Sequence, residues 1–152
     1  MRAYFDSSVL VSILLNDKNT PLSLQWWKAY EERVSSSLFE AECLIVLRRT
    51  AEHYGKKLPA SWLGKQEERL KIYLEEIGIK QIDSDVMECI WKEKKLAGCR
   101  TLDAIHVATA LLFQSSSETP LILCTHDDDM KKIARQVGLK TSSTASVEKP
   151  LT

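Results

Sequence analysis

Ala3-Tyr4-Phe5-Asp6-Ser7-Ser8-Val9-Leu10-Val11-Ser12-Ile13-Leu14-Leu15 is the stretch whose reading decides the fold. Three apolar residues suited to a buried strand run into an aspartate, Ser7-Ser8 punctuates the end, and residues 9–15 read as a short helix. The alternation continues along the chain. Short β-prone runs at 33–36, 79–82 and 121–124 are separated by helical stretches at 20–32, 38–53, 59–76, 84–96, 101–114 and 127–137. Thr20-Pro21 reads as a cap followed by proline at the first helical position, and Pro59 as the opening of a later helix. Asp83 or Ser84 and Thr101 read as further caps, and Gly55, Gly78, Ala97-Gly98 and Gly138 as helix stops. Residues 139–141 make a fifth, edge strand. Strands alternating with helices predict an α/β fold, a parallel sheet covered on both faces. Residues 1–141 form a single domain in this reading, and the polar tail 142–152 frays.

Length and composition bound the function. A chain of 152 residues can bury one sizeable core. Its 44% hydrophobic and 28% charged residues are those of a soluble globular domain. Twenty-one basic residues balance 21 acidic ones, which argues against tight non-specific binding to nucleic acid through phosphate neutralisation alone. Cys43, Cys89, Cys99 and Cys124 are scattered without a C-x-x-C pair, so a zinc site or disulfide framework is not expected and a reducing cytoplasm is the simple setting. The start does not resemble a signal peptide, and no apolar run approaches the roughly 20 residues that a membrane span needs.

Four acids stand against apolar runs, where a carboxylate is costly to bury without a counter-ion or hydrogen bonds. Asp6 ends the first strand, Glu42 lies inside 38–47, Asp103 opens the nearly uncharged stretch 102–113, and Asp127 follows 121–126. Carboxylates at the ends of core elements suggest one shared site for a hard divalent cation, and so a metal-dependent nuclease. Open α/β sheets place their sites beyond the carboxyl ends of the strands, where Asp6 and Asp127 fall. Each acid has a plainer role open to it. Asp6 is also a turn residue, and Asp103 and Asp127 also complement helix dipoles. Glu40 competes with Glu42, since both have apolar neighbours at helical spacing. Ser8 and Thr125 are candidate hydroxyls for orienting these carboxylates.

His106, one turn after Asp103, is either a general acid facing the site or a packed, hydrogen-bonded histidine. The second is favoured because magnesium prefers oxygen ligands. His126 reads as filling at a strand end. Arg48, Arg49 and Arg100 are candidates to touch phosphate, and for the pair Arg48-Arg49 a solvated helix end is the plainer role. Trp26, Trp27, Trp62 and Tyr73 read as core or interface rather than as base-stacking platforms.

Four segments carry a family likeness: Tyr4-Phe5-Asp6-Ser7-Ser8-Val9-Leu10; Ser36-Ser37-Leu38-Phe39-Glu40-Ala41-Glu42 leading to Leu47-Arg48-Arg49; Arg100-Thr101-Leu102-Asp103-Ala104-Ile105-His106-Val107-Ala108-Thr109-Ala110; and Leu123-Cys124-Thr125-His126-Asp127 through Ala134 to Gly138-Leu139. In this order and spacing the chain resembles PIN-domain proteins, and among them the VapC toxins of bacterial toxin–antitoxin pairs. The resemblance implies a three-layer α/β/α sandwich with strand order 3-2-1-4-5 and an endoribonuclease dependent on Mg²⁺ or Mn²⁺. It maps the family's acids onto Asp6, Glu42, Asp103 and Asp127, with Glu42 preferred to Glu40 by its interval from Ser36 and by the run ending in Arg48-Arg49. It also implies an RNA substrate such as tRNA or rRNA, a homodimer, and a VapB-like antitoxin whose C-terminal segment obstructs the acids. The helices over 42–53 and 59–76, with Trp62, are the candidate clamp for that segment. Two rivals remain. An aspartyl-phosphate protein would use Asp6 as nucleophile, but Ser8 stands where a second aspartate is wanted. A non-catalytic PIN-fold binding module would be favoured by loss of site acids, and all four positions are filled.

Overall fold

The structure, a computed structural model, describes residues 1–143. Five strands and seven α-helices alternate: β1 (Arg2–Phe5), α1 (Ser7–Leu15), α2 (Thr20–Ala29), β2 (Glu32–Ser36), α3 (Ser37–Tyr54), α4 (Trp62–Leu74), β3 (Gly78–Lys80), α5 (Ser84–Lys92), α6 (Thr101–Ser115), β4 (Leu121–Cys124), α7 (Asp128–Gln136) and β5 (Lys140–Thr141). The strands form one sheet in the order β3-β2-β1-β4-β5, with every neighbouring pair parallel. This is the expected three-layer α/β/α sandwich.

The two central strands show why. All residues of β1 and β4 are buried, as both faces of an all-parallel sheet must be. Side chains then alternate between two cores. Ala3 and Phe5, with Ile122 and Cys124, pack among α1 to α4. Tyr4, with Leu121 and Leu123, packs on the opposite face against α5 to α7. Trp26, Trp27, Trp62 and Tyr73 all belong to the first core or lie against it, as core residues rather than stacking platforms.

Boundaries differ from the sequence expectation where tertiary pairing overrides helix propensity. α2 stops at Ala29 instead of continuing to 32, because Tyr30 is extended (φ −115°, ψ 112°) and the chain enters β2, pairing Glu32 with Arg2 and Arg33 with Ala3. Arg33 folds back over Trp27, donating from Nε to the Trp27 carbonyl at 2.8 Å. Pro59 opens a turn, its carbonyl accepting from Trp62 N–H at 2.9 Å, and α4 begins only at Trp62. α5 ends at Lys92 and the chain tightens into a 3₁₀ turn over Lys94–Gly98. Gly98 is there for close approach, since a Cβ would run into the Ile133 side chain of α7. Ser142, expected to begin a fraying tail, is buried and donates its N–H to the Leu123 carbonyl at 2.9 Å. The rest of that tail, 144–152, lies outside the described residues. No described helix is long and apolar enough to cross a membrane.

Ser36 connects the sheet to the helix that carries Glu42. It is fully buried as the N-cap of α3, its Oγ accepting from Leu38 N–H at 3.2 Å. Ser36→Ala is expected to lower unfolding stability by about 1 kcal/mol in urea titration, the usual cost of a lost cap. An unchanged midpoint would show that the cap contributes nothing.

Candidate active site

Asp6 leaves β1 at its carboxyl end, and Asp127 leaves β4 at the same edge. The strand order reverses between these two neighbours, the crevice where open α/β sheets hold their ligands. Asp6 is the N-cap of α1, yet its carboxylate makes no capping bond. Oδ1 accepts instead from Ser8 Oγ at 2.6 Å, and Oδ2 from Thr125 Oγ1 at 2.8 Å. Each hydroxyl also accepts a backbone N–H from the segment after β4: His126 N–H reaches Ser8 Oγ at 3.0 Å and Asp127 N–H reaches Thr125 Oγ1 at 3.0 Å. This circuit locks the end of β1 to the end of β4. Burial pushes the Asp6 carboxyl up to about 6; the Glu42 charge acts in the same direction, while His106 and the two hydroxyls oppose it.

Glu42 faces this edge from α3. Its Oε1 is 2.5 Å from Nε2 of His106 on α6. Nδ1 of His106 stands 2.6 Å from the Tyr4 hydroxyl. Glu40 is exposed in the first turn of α3, so the structure brings Glu42, rather than Glu40, to the other acids.

Asp103 is half-buried in the first turn of α6. Burial holds its carboxyl above the ordinary range, Asp127 and Glu42 push it the same way, and His106 and Arg100 pull it back. Asp127 is the N-cap of α7, with Oδ1 accepting from Met130 N–H at 3.0 Å. Its helix-capping role is therefore real, and it leaves the charge within reach of Asp103.

The remaining sequence candidates are divided by their surroundings. Arg100 is exposed and its charge is felt at Asp103. Arg48 pairs with Glu67 of α4 at 3.1 Å and ties two helices together, an exposed pair of small energetic worth. His126 packs at the strand end, its ring stacked on Trp26 at 4.7 Å between centroids and its Nε2 2.6 Å from Ser23 Oγ. Sequence reasoning missed Tyr4, because nothing local distinguishes it from any other buried strand residue.

The donors suit a hard cation. They are carboxylate oxygens, and Asp6 and Asp103 each carry a proton affinity raised in part by neighbouring carboxylates, a repulsion that a divalent ion relieves. Among the described residues, no three His, Cys, Asp or Glu side chains stand close enough to hold an ion as arranged. The phosphotransfer alternative fits worse. Ser8, where that chemistry wants a second aspartate, instead donates to Asp6 Oδ1 at 2.6 Å.

Fold and edge together define a doubly wound α/β protein with an acidic crevice. The sequence model of the PIN domain matches residues 3–136. This chain belongs to the PIN domain family. A curated relative, ribonuclease VapC46 of Mycobacterium tuberculosis, is 29% identical over 142 residues, covering 90% of this chain and 92% of the relative. Among solved structures, a toxin–antitoxin complex from Klebsiella pneumoniae matches with a TM-score of 0.59 at 22% identity, covering 85% of this chain and 89% of its own. VapBC2 from Rickettsia felis, bound to a promoter DNA fragment, matches with a TM-score of 0.63 at 15% identity, covering 93% and 98%.

Proposed function

We propose that this chain is a VapC-type endoribonuclease that hydrolyses RNA phosphodiester bonds at a site for Mg²⁺ or Mn²⁺, and that it is the toxin of a type II toxin–antitoxin pair. The observation that carries this reading is that Asp6 and Asp127 leave neighbouring parallel strands at one edge and are joined through Thr125, whose Oγ1 donates to Asp6 Oδ2 at 2.8 Å and accepts from Asp127 N–H at 3.0 Å. Family membership and the name of the curated relative support the choice of RNA.

Asp6 and Asp103 are the leading ligands, with Glu42 and Asp127 completing the set or orienting the attacking water. A bound Mg²⁺ or Mn²⁺ supplies the charge that lowers the pKa of water, aligns the phosphate and stabilises the leaving oxygen. Ser8 and Thr125 fix the plane of the Asp6 carboxylate through their two hydrogen bonds. Arg100, exposed and three residues before Asp103, would meet a phosphate in this reading. Unneutralised carboxylates repel RNA, so substrate binding and metal loading are expected to rise together.

A VapB-like antitoxin is the partner in this reading, in keeping with the toxin–antitoxin complexes among the structural relatives, and a homodimer is what the family likeness implies. The groove beside α3 and α4, a cavity of about 660 Å³ bordered by Leu58, Pro59, Trp62 and Leu63, suits the apolar side of an antitoxin segment. The test is incubation of the purified protein with total tRNA and rRNA. Discrete products with Mg²⁺ or Mn²⁺ and intact RNA in EDTA are expected. Cleavage that survives EDTA, or intact RNA with folded, Mn²⁺-loaded protein, would contradict the reading.

A further inference from the structure

Glu42 heads a line of side chains that runs along α3 away from the crevice. Ile45, Arg49 and His53 follow it at i+3, i+7 and i+11, spacings that share one helical face. All three are exposed, Ile45 by 43% although it is apolar. Next to them Tyr54 is 49% exposed, its ring edge-on to that of His53 at 4.8 Å and 85°. Gly55, at φ 48°, leads into a 3₁₀ turn that carries the exposed Lys56 and Lys57 just past the end of the helix.

The charge here is one-sided. Residues 43–60 hold four basic side chains and one acidic, Glu52, in a chain whose charges balance overall. Arg48 is turned towards α4, where it pairs with Glu67. Arg49 makes no ion pair among the described residues. A helix dipole accounts for cations in the last turn and just past it, but its influence falls off before Arg49. A row of cations with an exposed ring beside it suits single-stranded nucleic acid, because charges follow the phosphates while a base stacks on the ring. At 1.5 Å per residue the line runs about 16 Å from Glu42 to His53, the length of about five nucleotides at stacked spacing.

We propose that this face of α3 is a binding track for single-stranded RNA leaving the acidic crevice, in which Arg49, Lys56 and Lys57 contact backbone phosphates and Tyr54, braced by His53, stacks on an unpaired base. The track deepens the ribonuclease reading and rests on it for the choice of RNA.

The test has two arms. Fluorescence anisotropy in EDTA, with a labelled single-stranded oligoribonucleotide of about 12 nucleotides, reads binding alone, and steady-state cleavage with Mn²⁺ reads kcat and KM. Arg49→Gln is expected to lower the slope of log K against log salt by about 0.7, the loss of one phosphate contact on a single strand. Lys56→Gln combined with Lys57→Gln is expected to lower it by about 1.4. Tyr54→Ala should weaken binding about 10-fold, and Tyr54→Phe, which keeps the ring, by less than about twofold. In cleavage, Arg49→Gln, the lysine pair and Tyr54→Ala should raise KM and leave kcat within about twofold. Lys92→Gln, an exposed charge on α5, should match wild type in both arms.

Unchanged binding in Arg49→Gln and in the lysine pair overturns the proposal. So does an equal loss in Lys92→Gln, which would make the effect one of net charge. Equal affinity for a duplex of the same length overturns it too, because a paired base cannot stack on Tyr54. Unchanged RNA binding with an altered mass in light scattering would give this face to a second copy of the chain instead. Track-dependent binding without cleavage in Mn²⁺ supports the track and sinks the ribonuclease reading. Cleavage whose kcat/KM none of the variants moves sinks the track and leaves that reading standing.

Discussion

Asp103→Asn is expected to lower metal-dependent RNA cleavage by at least about 100-fold, because groups one step further from a metal already cost 10–100-fold when removed. The fold should survive. Asp103 sits half-buried in the first turn of α6, where a negative charge gains from the helix dipole, but burial, Asp127 and Glu42 all press against that charge. The asparagine loses the dipole gain and escapes the repulsion. Circular dichroism and the thermal midpoint should therefore match wild type while the gel shows uncut RNA. Cleavage within threefold of wild type would remove Asp103 from the machinery.

Asp6→Asn is expected to abolish cleavage and to stabilise the metal-free protein. The Asp6 carboxyl is raised from 3.8 to about 6, chiefly by burial. The folded state thus holds a proton that the unfolded chain releases. Stability from this group is present below pH 4, declines as pH rises through 6, and is at its lowest at neutral pH. A shift of about two units corresponds to roughly 3 kcal/mol at most. Asparagine keeps one hydroxyl bond and reverses or loses the other, costing about 1 kcal/mol. The net gain is about 1–2 kcal/mol in urea unfolding with EDTA at pH 7.5. Mn²⁺ should narrow the gap by stabilising wild type alone. A variant less stable than wild type in EDTA would show that the buried charge is better compensated than its surroundings indicate. The conflict between stability and charge at this position is the kind that functional sites sustain.

How much of this was legible in the sequence follows from the range of each interaction. β1 and β4 are buried on both faces, so they read as short continuous apolar runs, and the alternation with helices led directly to the sandwich. The end of α2 was not legible. Tyr30, Glu31 and Glu32 are acceptable in a helix, and only the pairing of Glu32 with Arg2 across the sheet makes them leave it. Of the site, the acids announced themselves by standing beside apolar runs, and Ser8 and Thr125 by standing two residues from Asp6 and Asp127. Local periodicity left Glu40 and Glu42 open; what distinguishes them in the structure is His106, 64 residues away. Tyr4 reaches His106 across 102 residues, and no spacing rule connects a strand tyrosine to a helical histidine at that range.

The central claim is that Asp6, Glu42, Asp103 and Asp127 serve one metal-binding crevice. Its most direct test is a Mn²⁺ titration followed by electron paramagnetic resonance. Wild type should bind Mn²⁺, Asp6→Asn and Asp103→Asn should each weaken binding more than about 10-fold, and Glu40→Gln, on an exposed position of α3, should leave it unchanged. Equal Mn²⁺ affinity in wild type, Asp6→Asn and Asp103→Asn would contradict the claim.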